Sequence, residues 1–199
     1  SAGTRILPSA FPSTLALFCL LLPAAALIGC EDDKKITPPP PPPGYLEQSS
    51  PANVLQNLST AYERKNCAEY WKLFADDFVF VFNPEDPNDP YTPTPPEWGF
   101  PREIAAACSL FADRRVDAIT LSWSVGDLQA HHTYGWEIRV DEVNLNVNAR
   151  NDNTELWIFQ VRGSTQVFYF REDTTVTFPG GKHKWLITRW EDGPFGGVK

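Results

Sequence analysis

The sequence predicts an α+β domain in which a curved, mostly antiparallel sheet wraps on three helices of the N-terminal half. Three observations carry this. Helical spacing is confined to the first part of the domain, in Leu55, Leu58 and Tyr62 and again in Ile104, Cys108 and Phe111. Beyond Asp113 the period drops to two and stays there. Between these regimes the stretch Glu69–Asn83 contains both, with Tyr70, Leu73 and Phe74 at i, i+3 and i+4, then the β-prone run Phe78–Phe82. Helices and strands segregated along a chain make an α+β fold rather than an alternating α/β one.

In order, Ser50 and Pro51 form a helix start, with serine as N-cap and proline at the first helical position. That helix is expected to close at Arg64-Lys65-Asn66. A second helix is predicted over Cys67–Ala75 and a first strand over Phe78–Asn83, with Asp76-Asp77 as a solvated link. Pro84–Gly99 holds six prolines in sixteen residues, so neither a helix nor a central strand fits there. A third helix is predicted over Pro101–Asp113.

Then Ile119, Leu121, Trp123 and Val125 alternate with Thr120, Ser122 and Ser124. Trp136, Ile138 and Val140 alternate on even positions and Val143, Leu145 and Val147 on odd ones. That parity switch at Asp141-Glu142 is the mark of a β-bulge. Leu156–Val161 and Gln166–Arg171 read as one long strand bent at Gly163, the alternative being a hairpin. Pro179-Gly180-Gly181 turns the chain into a last strand, Trp185–Trp190.

Ahead of the domain, Leu15–Ile28 is almost wholly apolar but too short to span a bilayer, and Pro23 interrupts it. No methionine occurs in the sequence, so a start further upstream, with a charged segment, is expected. Leu27-Ile28-Gly29-Cys30 resembles the bacterial lipobox. That resemblance implies removal of the leader before Cys30, diacylglycerol on its thiol, export, and attachment to a bacterial membrane on its periplasmic or cell-surface side. Glu31–Ser50, with prolines at every position from 38 to 43, reads as a polyproline spacer. The expected organisation is therefore a leader over 1–29, a lipidated cysteine and tether over 30–50, and a folded domain over 51–199.

The net charge of -8 argues against nucleic acid and against adsorption to anionic lipid. It leaves the lipid as the expected membrane contact.

Tyr62 and the run Tyr70-x-x-Leu73-Phe74-Ala75-Asp76-Asp77-Phe78 resemble the opening of nuclear-transport-factor-two-like domains. Trp185-x-Ile187-x-x-Trp190-x-Asp192 is similar to the last strand of their secreted bacterial members. The resemblance covers about residues 50–193. It implies a cone, with a curved sheet wrapped on helices and a pocket at the open end. Members include dehydratases, isomerases, cyclases and many proteins without catalysis, and they commonly dimerise through the open sheet. In ketosteroid isomerases of this family the stretch A-D-D-A-T-V-E-D-P ends on the general base. Laid on Ala75-Asp76-Asp77, that position is Phe82, which takes no proton. The isomerase's oxyanion tyrosine falls near Leu58. The histidine–aspartate pair of the dehydratases has no counterpart, since the histidines are His131, His132 and His183.

No catalytic residue, cofactor or metal is therefore expected. Adjacent histidines in a strand face opposite ways, and His131-His132 lies in a stretch that reads as an exposed turn, A-H-H-T-Y-G. The tryptophans, Trp71, Trp98, Trp123, Trp157 and Trp190 among them, read as core, with Trp98 set apart by its place in the proline loop. Tyr62, Phe82, Trp98, Trp123, Tyr169 and Trp190 are the candidate pocket walls. Cys67 and Cys108, exported together, are candidates for a disulfide, the alternative being two separate buried thiols.

The leading functional reading is a membrane-anchored, non-catalytic domain that binds a small apolar ligand or a protein. A small lyase or isomerase is the second reading, and an assembly module that dimerises through its sheet is the third.

Overall fold

The computed structural model describes residues 36–83, 97–151 and 155–193. Helix α1 spans Pro51–Glu63, and the Ser50 hydroxyl caps it by accepting from the Asn53 amide at 3.3 Å. Val54, Leu55, Leu58 and Ala61 are fully buried along one face. Helix α2, Cys67–Tyr70, is a single turn capped by Asn66 and followed by a 3-10 turn, Trp71–Leu73. Helix α3 is Phe100–Ala112. Among the described residues no helix is long and apolar enough to cross a membrane.

Among the described residues six strands follow the expected segregation: β1 Phe74–Val81, β2 Glu97–Gly99, β3 Val116–His131, β4 Gly135–Arg150, β5 Leu156–Thr177 and β6 His183–Asp192. Their order in the sheet is β2-β1-β6-β5-β4-β3, with every neighbouring pair antiparallel except β1 and β6. Among the described residues the sheet is not closed. Its bends are local and visible. The β4–β5 register shifts between Val140 and Val143, where Glu142 takes φ 54°. β5 is one strand that bends at Gly163, with φ 69°, a left-handed conformation that glycine adopts without Cβ strain. In β3, a Cβ on Gly126 would lie 2.8 Å from the Arg139 carbonyl oxygen, so this irregular stretch needs a residue without one. This is the curved, cone-shaped α+β sheet packed on three helices.

Three local expectations are corrected. The second helix ends at Tyr70, not Ala75, and the strand begins at Phe74, not Phe78. Pairing of Phe74 with Ile187 on β6, and contact of its ring with those of Tyr70 and Phe78 at 4.9 and 4.6 Å, draw this residue into the sheet. Asp76 and Asp77 sit in the register irregularity that results. The end of the proline loop, where no central strand was expected, forms only a short edge strand, β2, on the outer side of β1. Helix α3 buries Glu103, Ala107 and Phe111, while Ile104 and Cys108 are half-buried, so its inner face lies about one residue from the apolar stripe.

Packed structure also begins before Pro51. Tyr45 is buried in the core. Leu46 exchanges two 2.8 Å hydrogen bonds with the Asn57 side chain, and Gln48 accepts from the Trp185 amide. Ile36 exchanges backbone hydrogen bonds with Thr175 and Thr177 of β5. The prolines from Pro38 to Pro42 line a shallow concavity together with Leu46, Lys72 and Phe178. From Ile36 onward the expected tether is a strap on the domain. A polyproline strand is already extended and stiff, so laying it on an apolar groove orders little that was free.

Candidate functional site

The interior of the cone is built by side chains that alternate inward from β1, β4, β5 and β6. Register places Phe80, Trp190, Phe168 and Ile138 in one row across four strands, and the last three are buried. The Trp190 ring lies 5.2 Å from Phe80 and 4.8 Å from Phe168, and its indole N–H donates to Gln166 at 2.6 Å. Phe82 stacks edge-on to Trp98 at 4.7 Å, and Trp123 meets Phe168 at 5.8 Å. Tyr62 from α1 is buried, edge-on to Tyr70 and Phe111 at 5.5 and 5.3 Å.

Five of the six candidate wall residues, Tyr62, Phe82, Trp98, Trp123 and Trp190, thus lie on the helix side of the sheet, in ring-to-ring contact with one another or with other aromatic residues. Tyr169 is on the opposite face, in the row Val79–Arg189–Tyr169–Glu137. Strand parity places it there, one residue from Phe168. Its ring is covered by Tyr134 and His131 from the β3–β4 turn, and burial together with Glu191 pushes its hydroxyl up to about 12.

A polar chain crosses the aromatic interior. Glu103, 5% exposed, accepts from the Tyr70 hydroxyl at 2.5 Å through one carboxylate oxygen and from the Trp98 indole N–H at 2.8 Å through the other. The Tyr70 ring in turn lies edge-on to that of Tyr62. Burial raises the Glu103 pKa above its ordinary 4.5, and the two donors only partly offset that. Burial also raises both tyrosines. A carboxyl group with a raised pKa inside a cone is the usual mark of a general acid or base. Here both oxygens are taken by the protein's own donors.

The wider concavities lie elsewhere. Two of about 620 and 540 Å³ flank the ion pair in which Arg171 grips Asp77 through two 2.9 Å hydrogen bonds, and neither is lined by Glu103, Trp98 or Trp190. The first also has Tyr134, Trp136 and Arg189 on its walls. Asp77 is thus paired, not merely solvated, and Arg171 lowers its pKa.

Cys67 and Cys108 are joined by a disulfide with Cα atoms 5.2 Å apart, tying α2 to α3. Cys30 lies outside the described residues. The His131 and His132 rings lie 4.6 Å apart instead of on opposite faces, because the chain turns immediately after His131 and strand alternation ends there. The His131 Nδ1 accepts from the Thr133 and Tyr134 amides and so holds that turn. Among the described residues, no group of three or more His, Cys, Asp or Glu side chains gathers as a metal site.

Sequence reasoning missed two features. Glu103 reads as an ordinary first-turn acid of α3; its only signal was a place four residues before Ala107 and eight before Phe111 on the inner face. The other is Leu156–Phe159. Trp157 and Trp71, expected in the core, are 68% and 47% exposed, and Leu156, Ile158 and Phe159 stand out beside Trp157. β6 pairs with β5 only from Gln166 onward, so among the described residues the first part of β5 is an edge that the helices do not cover.

No family model matches the chain, and no curated protein does. Solved structures do. A conserved protein from Planctomyces limnophilus is 16% identical, with a TM-score of 0.49 over 71% of this chain and 90% of its own. An NTF-2 like protein of unknown function from Shewanella oneidensis is 11% identical, with a TM-score of 0.44 over 71% of this chain and 94% of its own. An uncharacterized cystatin fold protein from Novosphingobium aromaticivorans is 15% identical, with a TM-score of 0.42 over 73% of this chain and 97% of its own. At these identities and TM-scores each likeness is one of fold alone.

Proposed function

We propose that this chain is an exported lipoprotein, anchored through Cys30, whose cone domain is a non-catalytic module that binds a protein partner on its outside. One observation carries the choice of outside over inside. The cone is occupied by its own rings, Phe80, Phe82, Trp98, Phe168 and Trp190, while an apolar strand segment stands in solvent at Leu156–Phe159. Apolar surface of that kind marks interaction sites more often than it is left bare. The lipid anchor rests on the Leu27–Cys30 pattern and the apolar leader before it.

Thermal melts with a panel of apolar and aromatic small molecules test the interior. No shift is expected, and a saturable stabilisation abolished by Phe80→Ala or Trp190→Ala would transfer the function to the cone. Palmitate labelling tests the anchor, with label expected on the parent and lost in Cys30→Ser. An unlabelled parent overturns anchoring.

The lyase or isomerase reading has one observation in its favour, the raised pKa of Glu103. It requires solvent access to that carboxyl group. Carbodiimide coupling to Glu103 in the folded protein would support it, and protection of Glu103 until unfolding is the outcome expected here.

A further inference from the structure

We infer that the partner at the exposed edge is a second copy of this chain, and that two copies pair antiparallel through Leu156–Val161 about a two-fold axis at Ile158. This rests on the protein-binding reading above and specifies it. Four observations converge.

Backbone comes first. Among the described residues no strand lies beside Leu156–Val161 on the side away from β4, because β6 leaves off at Gln166. Folded proteins ordinarily blunt such an edge with charge or proline, and these six residues carry neither.

The exposed side chains also occupy both faces. Trp157 and Phe159 share a face with Ala149 and Val147, while Leu156 and Ile158 share the opposite face with Arg150 and Asn148. Relative exposures of 56, 68, 54 and 62% from Leu156 to Phe159 therefore describe two bare faces. A helix or globular surface laid on the sheet would cover one. Only an added strand supplies backbone partners and side chains on both.

Charge agrees as well. The uncharged run is bracketed by Glu155 before it and Arg162 after it. Antiparallel self-pairing sets the acidic end of each strand beside the basic end of the other. Parallel pairing would put like beside like.

Register follows from symmetry. A two-fold axis perpendicular to a sheet preserves its faces, so residues opposite each other share parity. Centred on Ile158, Trp157 of each copy lies across from Phe159 of the other, Ile158 meets Ile158, and Leu156 meets Gln160. Centred on Phe159, Leu156 faces Arg162 and Ile158 faces Gln160. The first arrangement makes two cross-strand aromatic pairs, sets Val161 across from Glu155 and leaves Arg162 outside the ladder. The sheets of the two copies then become one continuous sheet.

The test uses the full chain in detergent. Sedimentation velocity should show a dimer. Ile158→Cys, whose Cα would lie about 4.5–5.5 Å from its mate, should form a reducible covalent dimer, and Phe159→Cys should not. Ile158→Lys should sediment as a monomer with the parent's far-ultraviolet circular dichroism, since its side chain lies in solvent and not in the core. A parent that is monomeric across the micromolar range overturns the proposal, leaving the binding reading to its own ligand test. So does a dimer that survives Ile158→Lys. A parent monomer that dimerises only when shortened to end at Gly193 means the residues after it cover the edge, and overturns the proposal too.

Discussion

Tyr70 and Glu103, thirty-three residues apart in sequence, meet hydroxyl to carboxylate at 2.5 Å inside the cone. Glu103 also holds the Trp98 indole, so one carboxyl group fastens α2 and β2 to α3. Because burial raises its pKa in the folded state, the folded protein holds its proton to higher pH than the unfolded chain does. The contribution to stability is complete below the unfolded value of about 4.5 and is lost as pH rises through the raised one. Thermal melts from pH 4 to 8 should show this decline in the parent. Glu103→Gln should lack that part of the slope, and parallel profiles would contradict the assignment.

The disulfide closes a loop with a sequence separation of 41 residues. Loop entropy then makes it worth ~4 kcal/mol. Cys67→Ala with Cys108→Ala should lower the denaturant midpoint accordingly. Thiol counting on the denatured, unreduced parent should find neither cysteine free.

Arg171 and Asp77 form a two-point ion pair in the open. Exposed pairs are worth roughly 0.2–1 kcal/mol, and salt weakens them. Arg171→Ala should cost no more than that while returning the Asp77 pKa upward toward its usual value. The sign is fixed by the depressed folded pKa. The pair's contribution is present above the ordinary carboxylate range and disappears as pH falls through the folded value. A carboxyl-carbon NMR titration of Asp77 measures it.

The strap makes a different prediction. Asn57 gives and accepts one hydrogen bond each with the Leu46 backbone, and Asn57 is itself buried. Asn57→Ala should cost about 1–3 kcal/mol by stranding both backbone groups. A protein begun at Pro51 should melt below one begun at Lys35. Equal melts would mean that Tyr45 and Leu46 add nothing.

Periodicity carried most of the architecture. The bulge at Asp141-Glu142 and the bend at Gly163 were legible because each leaves a local mark: a parity switch in one case, a glycine in the other. The start of β1 was not, since Phe74 fits a helix face as well as a strand, and only its partner Ile187 decides. The strap was illegible for a similar reason: a proline run reads the same whether it hangs free or lies in a groove. Trp157 shows where composition misleads. A tryptophan in a β-prone run looks like core, and only the point where β6 stops pairing leaves it bare. Tyr169 turned on a single residue of register, which one sequence does not set.

The place of β6 bears on how the domain comes to be made. It is the last strand described, yet it sits between β1 and β5, near the middle of the sheet. A nascent or threading chain that has delivered β1 through β5 still lacks the strand that joins its two halves. Phe74–Val81 must wait for Ile187–Glu191, more than a hundred residues behind. Such distant pairing is slow to form. A chain stopped before Trp185 would expose the inner flanks of both β1 and β5, so synthesis errors near the end should yield degraded or aggregated product instead of a smaller stable domain.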